Sequence, residues 1–94
     1  MAIVRINEFK SAEGQAEALL EFLTSIKPYI TNSEGCISCE ILTQQDDKST
    51  FVIIEKWESI ESHVKSIADF PKDDMAKAIP LFGAAPIGRY FMDV

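Results

Sequence analysis

CISCEILTQQ at 36–45, DDKST at 46–50 and FVIIEKWE at 51–58 read together as strand, turn and strand. Five polar residues between two apolar runs predict a loop of hairpin type. Upstream, Asn32–Gly35 is a polar turn, preceded by the clearest helix in the chain. Ala16, Leu19, Leu20, Leu23, Ile26 and Ile30 recur at the spacing of one helical face, with Glu17, Glu21 and Thr24 on the other. Pro28 is expected to end or kink that helix, because its ring meets the carbonyl of Thr24. Ser11–Gly14 reads as a turn and helix start, with Ser11 as the cap and Glu13 at the positive end of the dipole. The β-branched run Ala2–Phe9 is a first strand. It places Ala2, Val4 and Ile6 on one face, and Ile3, Arg5, Asn7 and Phe9 on the other.

Downstream, Ser59 caps a second helix over Ile60–Asp69, with Ile60, His63, Val64, Ile67 and Ala68 sharing its inner face. Pro71 suits the start of a third, shorter helix through about Ile79, ended by Pro80. Pro86 opens a last strand, Ile87–Val94. The order β-α-β-β-α-α-β predicts an α+β, ferredoxin-like βαββαβ domain with one extra helix. Its sheet would have four antiparallel strands, the first and third central, and helices on one face. The central strands are apolar on both sides, so the other face needs a cover, and a second copy of the sheet is the natural one.

At 94 residues the chain is one domain, 1–94. It is 47% hydrophobic with six Phe, rich for a fold this small, and self-association as a homodimer is the simplest outlet. A net charge of −6 argues against nucleic acid and against anionic membranes. The start MAIVRINEF lacks the apolar core of a signal peptide, and no run is long enough to span a bilayer, so a cytoplasmic protein is expected. Cys36 and Cys39 have C-x-x-C spacing. Strand alternation sends positions three apart to opposite faces, so neither a disulfide nor a shared metal is expected. With one His and no third Cys, a zinc site also lacks ligands.

EGCISCEI at 34–41, followed after the Asp-Asp turn by FVIIEKWESIESH at 51–63, resembles the antibiotic biosynthesis monooxygenase family. Its members read G-C-x-x-Y/C-E, a hairpin, then E-x-W-x-S ahead of a helix His. The likeness extends across nearly the whole chain. It implies a dimeric α+β barrel built from two ferredoxin-like subunits. Functions in such a family are mixed: cofactor-free oxidation of phenols or quinols with O2, heme cleavage, and processing of a phosphorylated sugar derivative. Fold alone does not choose among them.

Asn7, near the end of the first strand, resembles the Asn that heme-degrading relatives hold beside their cofactor. It either bonds backbone at the strand end or donates to an oxyanion or peroxide. His63, the one histidine, matches the family's helix His. It is either a satisfied structural group or a base that deprotonates a phenol. Trp57 matches the family Trp and either packs in the core or walls an aromatic substrate. Arg5 and Glu55 lie on strands expected to be neighbours; if their faces coincide, they form an ion pair lining the pocket, and otherwise Arg5 crosses the dimer interface. Tyr90 and Arg89 in the last strand either anchor substrate or serve packing and dimer contacts, and Phe70, Met75, Phe82 and Phe91 are core or pocket lining. Asp73–Leu81 holds Met75 and Lys77 but no counterpart of the proximal His of heme-degrading relatives. No phosphate loop, nucleophile elbow or metal-ligand cluster is present. The expected function is thus a cofactor-independent monooxygenase of a small aromatic quinol or phenol, with His63 as base, Asn7 stabilising an oxygen intermediate and Trp57 as a wall. The alternatives are a non-catalytic homodimer that binds a small ligand, and an isomerase-type member of the same superfamily.

Overall fold

The computed structural model describes residues 2–94. Strand β1 (Ile3–Lys10) leads through a turn at Gly14 into helix α1 (Ala16–Asn32). The hairpin β2 (Cys36–Gln44) and β3 (Asp47–Trp57) follows, then α2 (Ile60–Asp69), the short α3 (Lys72–Ala78) with a single 3-10 turn (Ile79–Leu81), and β4 (Ile87–Met92). The four strands form one antiparallel sheet in the order β2-β3-β1-β4, so β1 and β3 are central as the pattern predicts.

Pairing register decides which side chains meet. Arg5 stands opposite both Glu55 and Tyr90, Ile3 opposite Trp57, and Asn7 opposite Ile53 and Gly88. Residues opposed across a ladder share a face. Arg5, Asn7, Glu55, Trp57 and Tyr90 therefore project together toward the helices: the faces of Arg5 and Glu55 coincide, but Arg5 bonds Asn7, and the expected Arg5–Glu55 ion pair is not formed. The same face carries the core, in which Leu19, Leu23, Phe51, Ile53 and Trp57 are at most 2% exposed. Burial of each such side chain stabilises the fold by roughly 1.5–3 kcal/mol. On the opposite face, Val4, Ile6, Val52, Ile54, Ile87 and Phe91 remain partly or fully accessible.

Local structure departs from expectation at several points. Helix α1 runs through Pro28 to Asn32. Pro28 and Thr24 both lie on the solvent side, where water can satisfy the carbonyl that proline cannot. Ile30 is buried, and the Tyr29 hydroxyl donates to the Ser66 carbonyl at 2.8 Å, anchoring the last turn. Ser11 does not cap α1. It is buried in a bridge to Phe82, and the helix begins after Gln15 with no side-chain cap. The polar stretch 46–50 is largely strand: the Asp47 carboxylate accepts from the Ser49 backbone at 3.0 Å and from the Thr50 hydroxyl at 2.9 Å, pinning a tighter hairpin. Strand β4 stops at Met92.

On α2 the inward stripe is His63 and Ser66, while Ile60, Val64 and Ile67 are 40–56% exposed. The helix meets the sheet along one narrow edge, which leaves its other apolar residues outside. A register shift between Cys36 and Ser38 overturns the alternation argument for the cysteines. Cys36 opposes Trp57 and Cys39 opposes Glu55, so the two stand on the same face. Both thiols are free and pack against the core.

Candidate functional site

Between sheet and helices lies a cavity of about 220 Å³. Its walls are almost wholly apolar, Phe9, Phe22, Ile26, Phe70, Met75 and Phe82 among them. Trp57 closes the sheet side, 1% exposed. Polar side chains gather mainly at one end, where Asn7, Glu55 and His63 meet.

Glu55 is the hub of that end. It is 4% exposed and accepts the Trp57 indole N–H at 2.8 Å on Oε1. Its Oε2 receives a long contact of 3.4 Å from Asn7 Nδ2. The Asn7 amide is itself oriented from behind, since Arg5 Nε–H donates to its Oδ1 at 3.0 Å. The Arg5 guanidinium also lies over the Tyr90 ring, 4.6 Å from the centroid. His63 Nδ1 and the Tyr90 hydroxyl are 2.6 Å apart, and His63 Nε2 faces Glu55 Oε1 at 3.8 Å. The imidazole is edge-on to both Trp57 and Tyr90, at 5.4 Å in each case. Among the described residues no buried side-chain nitrogen or oxygen lacks a partner.

The local sequence explains these positions. Alternation along β1 and β3 aims Arg5 and Asn7, and Glu55 and Trp57, the same way. Helix α2 starts where the Ser59 hydroxyl accepts the Ser62 N–H at 3.1 Å, which fixes the turn that carries His63 inward. Gly88 makes room on β4: a side chain there would collide with the Arg5 guanidinium and with Asn7 Oδ1.

Burial shapes the charges. Desolvation, opposed by the Trp57, Arg5 and Asn7 contacts, holds the Glu55 carboxyl above the usual carboxylate range. Desolvation, reinforced by Arg5, lowers His63 to about 4, so the imidazole is neutral near pH 7. A neutral ring that carries its proton on Nε2 directs that N–H at Glu55 and leaves Nδ1 to accept from the Tyr90 hydroxyl.

All five predicted site residues, Arg5, Asn7, Trp57, His63 and Tyr90, converge on this network. Asn7, Trp57 and His63 line the cavity, whereas Arg5 and Tyr90 stand behind them. Arg89 opposes Ile6, and Phe91 opposes Val4, so both belong to the open sheet face and not to the pocket. Two residues carry more than the sequence reading assigned. Glu55, which the sequence offers as a partner for Arg5, is instead the hub of the network, and the Glu-x-Trp spacing on one strand is the signal for it. Gly88 is the second, and its signal is a lone Gly inside a strand, which marks close approach. No cluster of three or more His, Cys, Asp or Glu that could hold a metal ion occurs among the described residues, and none of their helices is long and apolar enough to cross a membrane.

The family model described as antibiotic biosynthesis monooxygenase matches residues 2–67, which include every residue of the network except Tyr90. No curated protein matches the chain. Among solved structures, PA3566 from Pseudomonas aeruginosa aligns over 99% of this chain and 94% of its own, with a TM-score of 0.89 at 17% identity. Rv0793 from Mycobacterium tuberculosis covers 100% and 96%, with a TM-score of 0.88 at 15% identity. SnoaB, a cofactor-independent oxygenase from Streptomyces nogalater, covers 98% and 92%, with a TM-score of 0.84 at 13% identity. At such identities the likeness shows a shared fold.

Proposed function

Since the chain belongs to the antibiotic biosynthesis monooxygenase family, we propose that it is a cofactor-independent monooxygenase that oxidises a small aromatic phenol or quinol with O2. The observation that carries this reading is the cavity: apolar and aromatic walls, with an amide, a carboxylate and a neutral imidazole focused at one end. Its volume of about 220 Å³ falls below that of pockets for drug-sized ligands, which favours one- or two-ring substrates. SnoaB, of the same fold, is described as a cofactor-independent oxygenase and supports the reaction class.

The reaction needs a base, a stabilised oxygen anion and a dry, flat slot. The Glu55–His63 pair supplies proton-accepting capacity in a water-poor site. Loss of the hydroxyl proton leaves an electron-rich phenolate that can reduce O2. Asn7 presents its amide N–H groups where negative charge on oxygen develops, and preorganised donors of this kind typically contribute a factor of about 10²–10³ in rate. Trp57 fixes the ring plane. Net, one phenol and one O2 give one quinone and one water. Purified protein mixed with a panel of phenols and quinols in an oxygen-electrode chamber should consume O2 above the uncatalysed rate, with one water formed per O2. Saturable binding without O2 uptake on any substrate would favour the non-catalytic ligand-binding protein instead.

The working unit in this reading is a homodimer. The open sheet face carries Val4, Ile6, Val52, Ile54 and Phe91 as neighbours, with Ile87 beyond Glu8 and with Lys56 and Arg89 at its borders, and a second copy of the sheet is the natural cover for it. Sedimentation that finds only a 10.5 kDa species at micromolar concentration would rule this assembly out.

A further inference from the structure

Resting on the reading just given, we infer that Glu55 is the group that reads the substrate hydroxyl and takes its proton. The cavity would thus retain the reduced, hydroxyl-bearing aromatic and release the oxidised, carbonyl form. His63 is poorly placed to meet a ligand directly, because both ring nitrogens face protein: Nδ1 toward the Tyr90 hydroxyl at 2.6 Å and Nε2 toward Glu55 Oε1 at 3.8 Å. Glu55 differs. Its Oε1 is engaged by the Trp57 indole at 2.8 Å, but Oε2 has only the 3.4 Å contact from Asn7, too long to be a strong bond. A carboxylate offers about four acceptor sites, so Oε2 keeps capacity for a further donor.

The neighbouring amide completes the recognition. Arg5 holds Asn7 Oδ1 at 3.0 Å, which turns the Asn7 NH2 toward Oε2 and the cavity end. One acceptor and one donor thus stand side by side. A hydroxyl both donates and accepts, and matches the pair. An ether or a carbonyl oxygen only accepts, and would set its lone pairs against a carboxylate that is 4% exposed. Sites built to bond a buried hydroxyl reject analogues that lack it far more strongly than apolar pockets reject a missing methylene.

The substrate O–H bond breaks, an Oε2–H bond forms, and the electron pair stays on the phenolate. O2 takes the electrons and adds at a ring carbon. One of its oxygens becomes the new carbonyl. The other leaves as water, carrying the ring hydrogen and the proton returned by Glu55. His63 and Tyr90 act as positioning residues, holding the carboxylate from behind.

The test is calorimetric titration of the purified protein under anaerobic conditions with 1-naphthol, 1-methoxynaphthalene and 1,4-naphthoquinone. Wild type should bind the naphthol about ten- to a hundredfold more tightly than the ether or the quinone, the range expected for a bond to a charged, buried acceptor. Glu55→Gln should shrink that preference to within about threefold while still binding the ether. Equal affinities in wild type, no binding of any of the three, or a preference that survives in Glu55→Gln would each overturn the assignment. Should the variant fail to fold, equal affinities in the wild-type series still overturn the assignment. Oxygen is absent throughout, so a lost preference leaves the oxygenase reading standing. A retained preference without turnover on O2 sinks the oxygenase reading alone.

Discussion

His63→Gln should flatten the acid sensitivity of the fold. In the folded chain His63 is 2% exposed and titrates at about 4, against an ordinary value of 6.5. The unfolded chain therefore binds a proton that the folded chain refuses whenever the pH lies between those limits. This contribution to stability is fully present above about 6.5 and declines as the pH falls toward 4, where it levels off. At 1.36 kcal/mol per pH unit the loss is about 3 kcal/mol. Glu55, whose carboxyl is raised in the folded state, is present in wild type and variant alike, so its own contribution drops out of the comparison. A loss of about 3 kcal/mol in wild type relative to the variant, between pH 6.5 and 4, is the expected outcome. Urea unfolding followed by far-UV circular dichroism, at half-unit steps from pH 7.5 to 4 and fixed protein concentration, measures it. The other carboxylates are common to both proteins and cancel in the difference. Difference curves that run parallel across the whole range would refute the assignment of His63 as a buried neutral imidazole.

Other substitutions probe the supports of the site. Ser59→Ala removes the α2 cap and should cost about 1 kcal/mol, read from the urea midpoint, with a weaker grip on His63. Gly35 has φ +87° and lies against the Ser62 side chain. Gly35→Ala should therefore cost about 1–3 kcal/mol, and adding Ser62→Gly should restore only the part due to the clash. Gly88→Ala should displace Arg5 and free the Asn7 amide to rotate; the expected readout is a large loss of kcat with little change in thermal midpoint. Phe91→Glu on the open face should leave the fold intact and shift sedimentation toward the monomer, because a charge placed in an apolar interface is strongly unfavourable.

The fold was legible because its signals are periodic and redundant. Leu19, Leu23 and Ile30 mark one helical stripe, Phe51, Ile53 and Trp57 one strand face, and Pro71 and Pro86 fall at element boundaries. The failures share a cause. The continuation of α1 through Pro28, the bulge beside Ser38 and the folding of Ser49 and Thr50 onto Asp47 each depend on a tertiary or side-chain contact that overrides local propensity. For the site, residue type and alternation were enough to nominate Arg5, Asn7, Trp57, His63 and Tyr90. Register was needed to show that they surround one carboxylate, since a shift of one residue between β1 and β3 would have turned Glu55 away from Arg5. The loss of Arg89 and Phe91 from the pocket follows from the same register on β4.

Trp57 is the only tryptophan in the chain. Its indole N–H rests on the Glu55 carboxylate, and its ring meets His63 edge-on in the wall of the cavity. The molecule therefore carries its own optical reporter at the one place of interest. Ligand entry, carboxylate protonation and imidazole charge each alter the surroundings of a single chromophore, with no second emitter of its kind to dilute the signal. Stopped-flow fluorescence on the unlabelled protein should thus resolve binding from any later step in time.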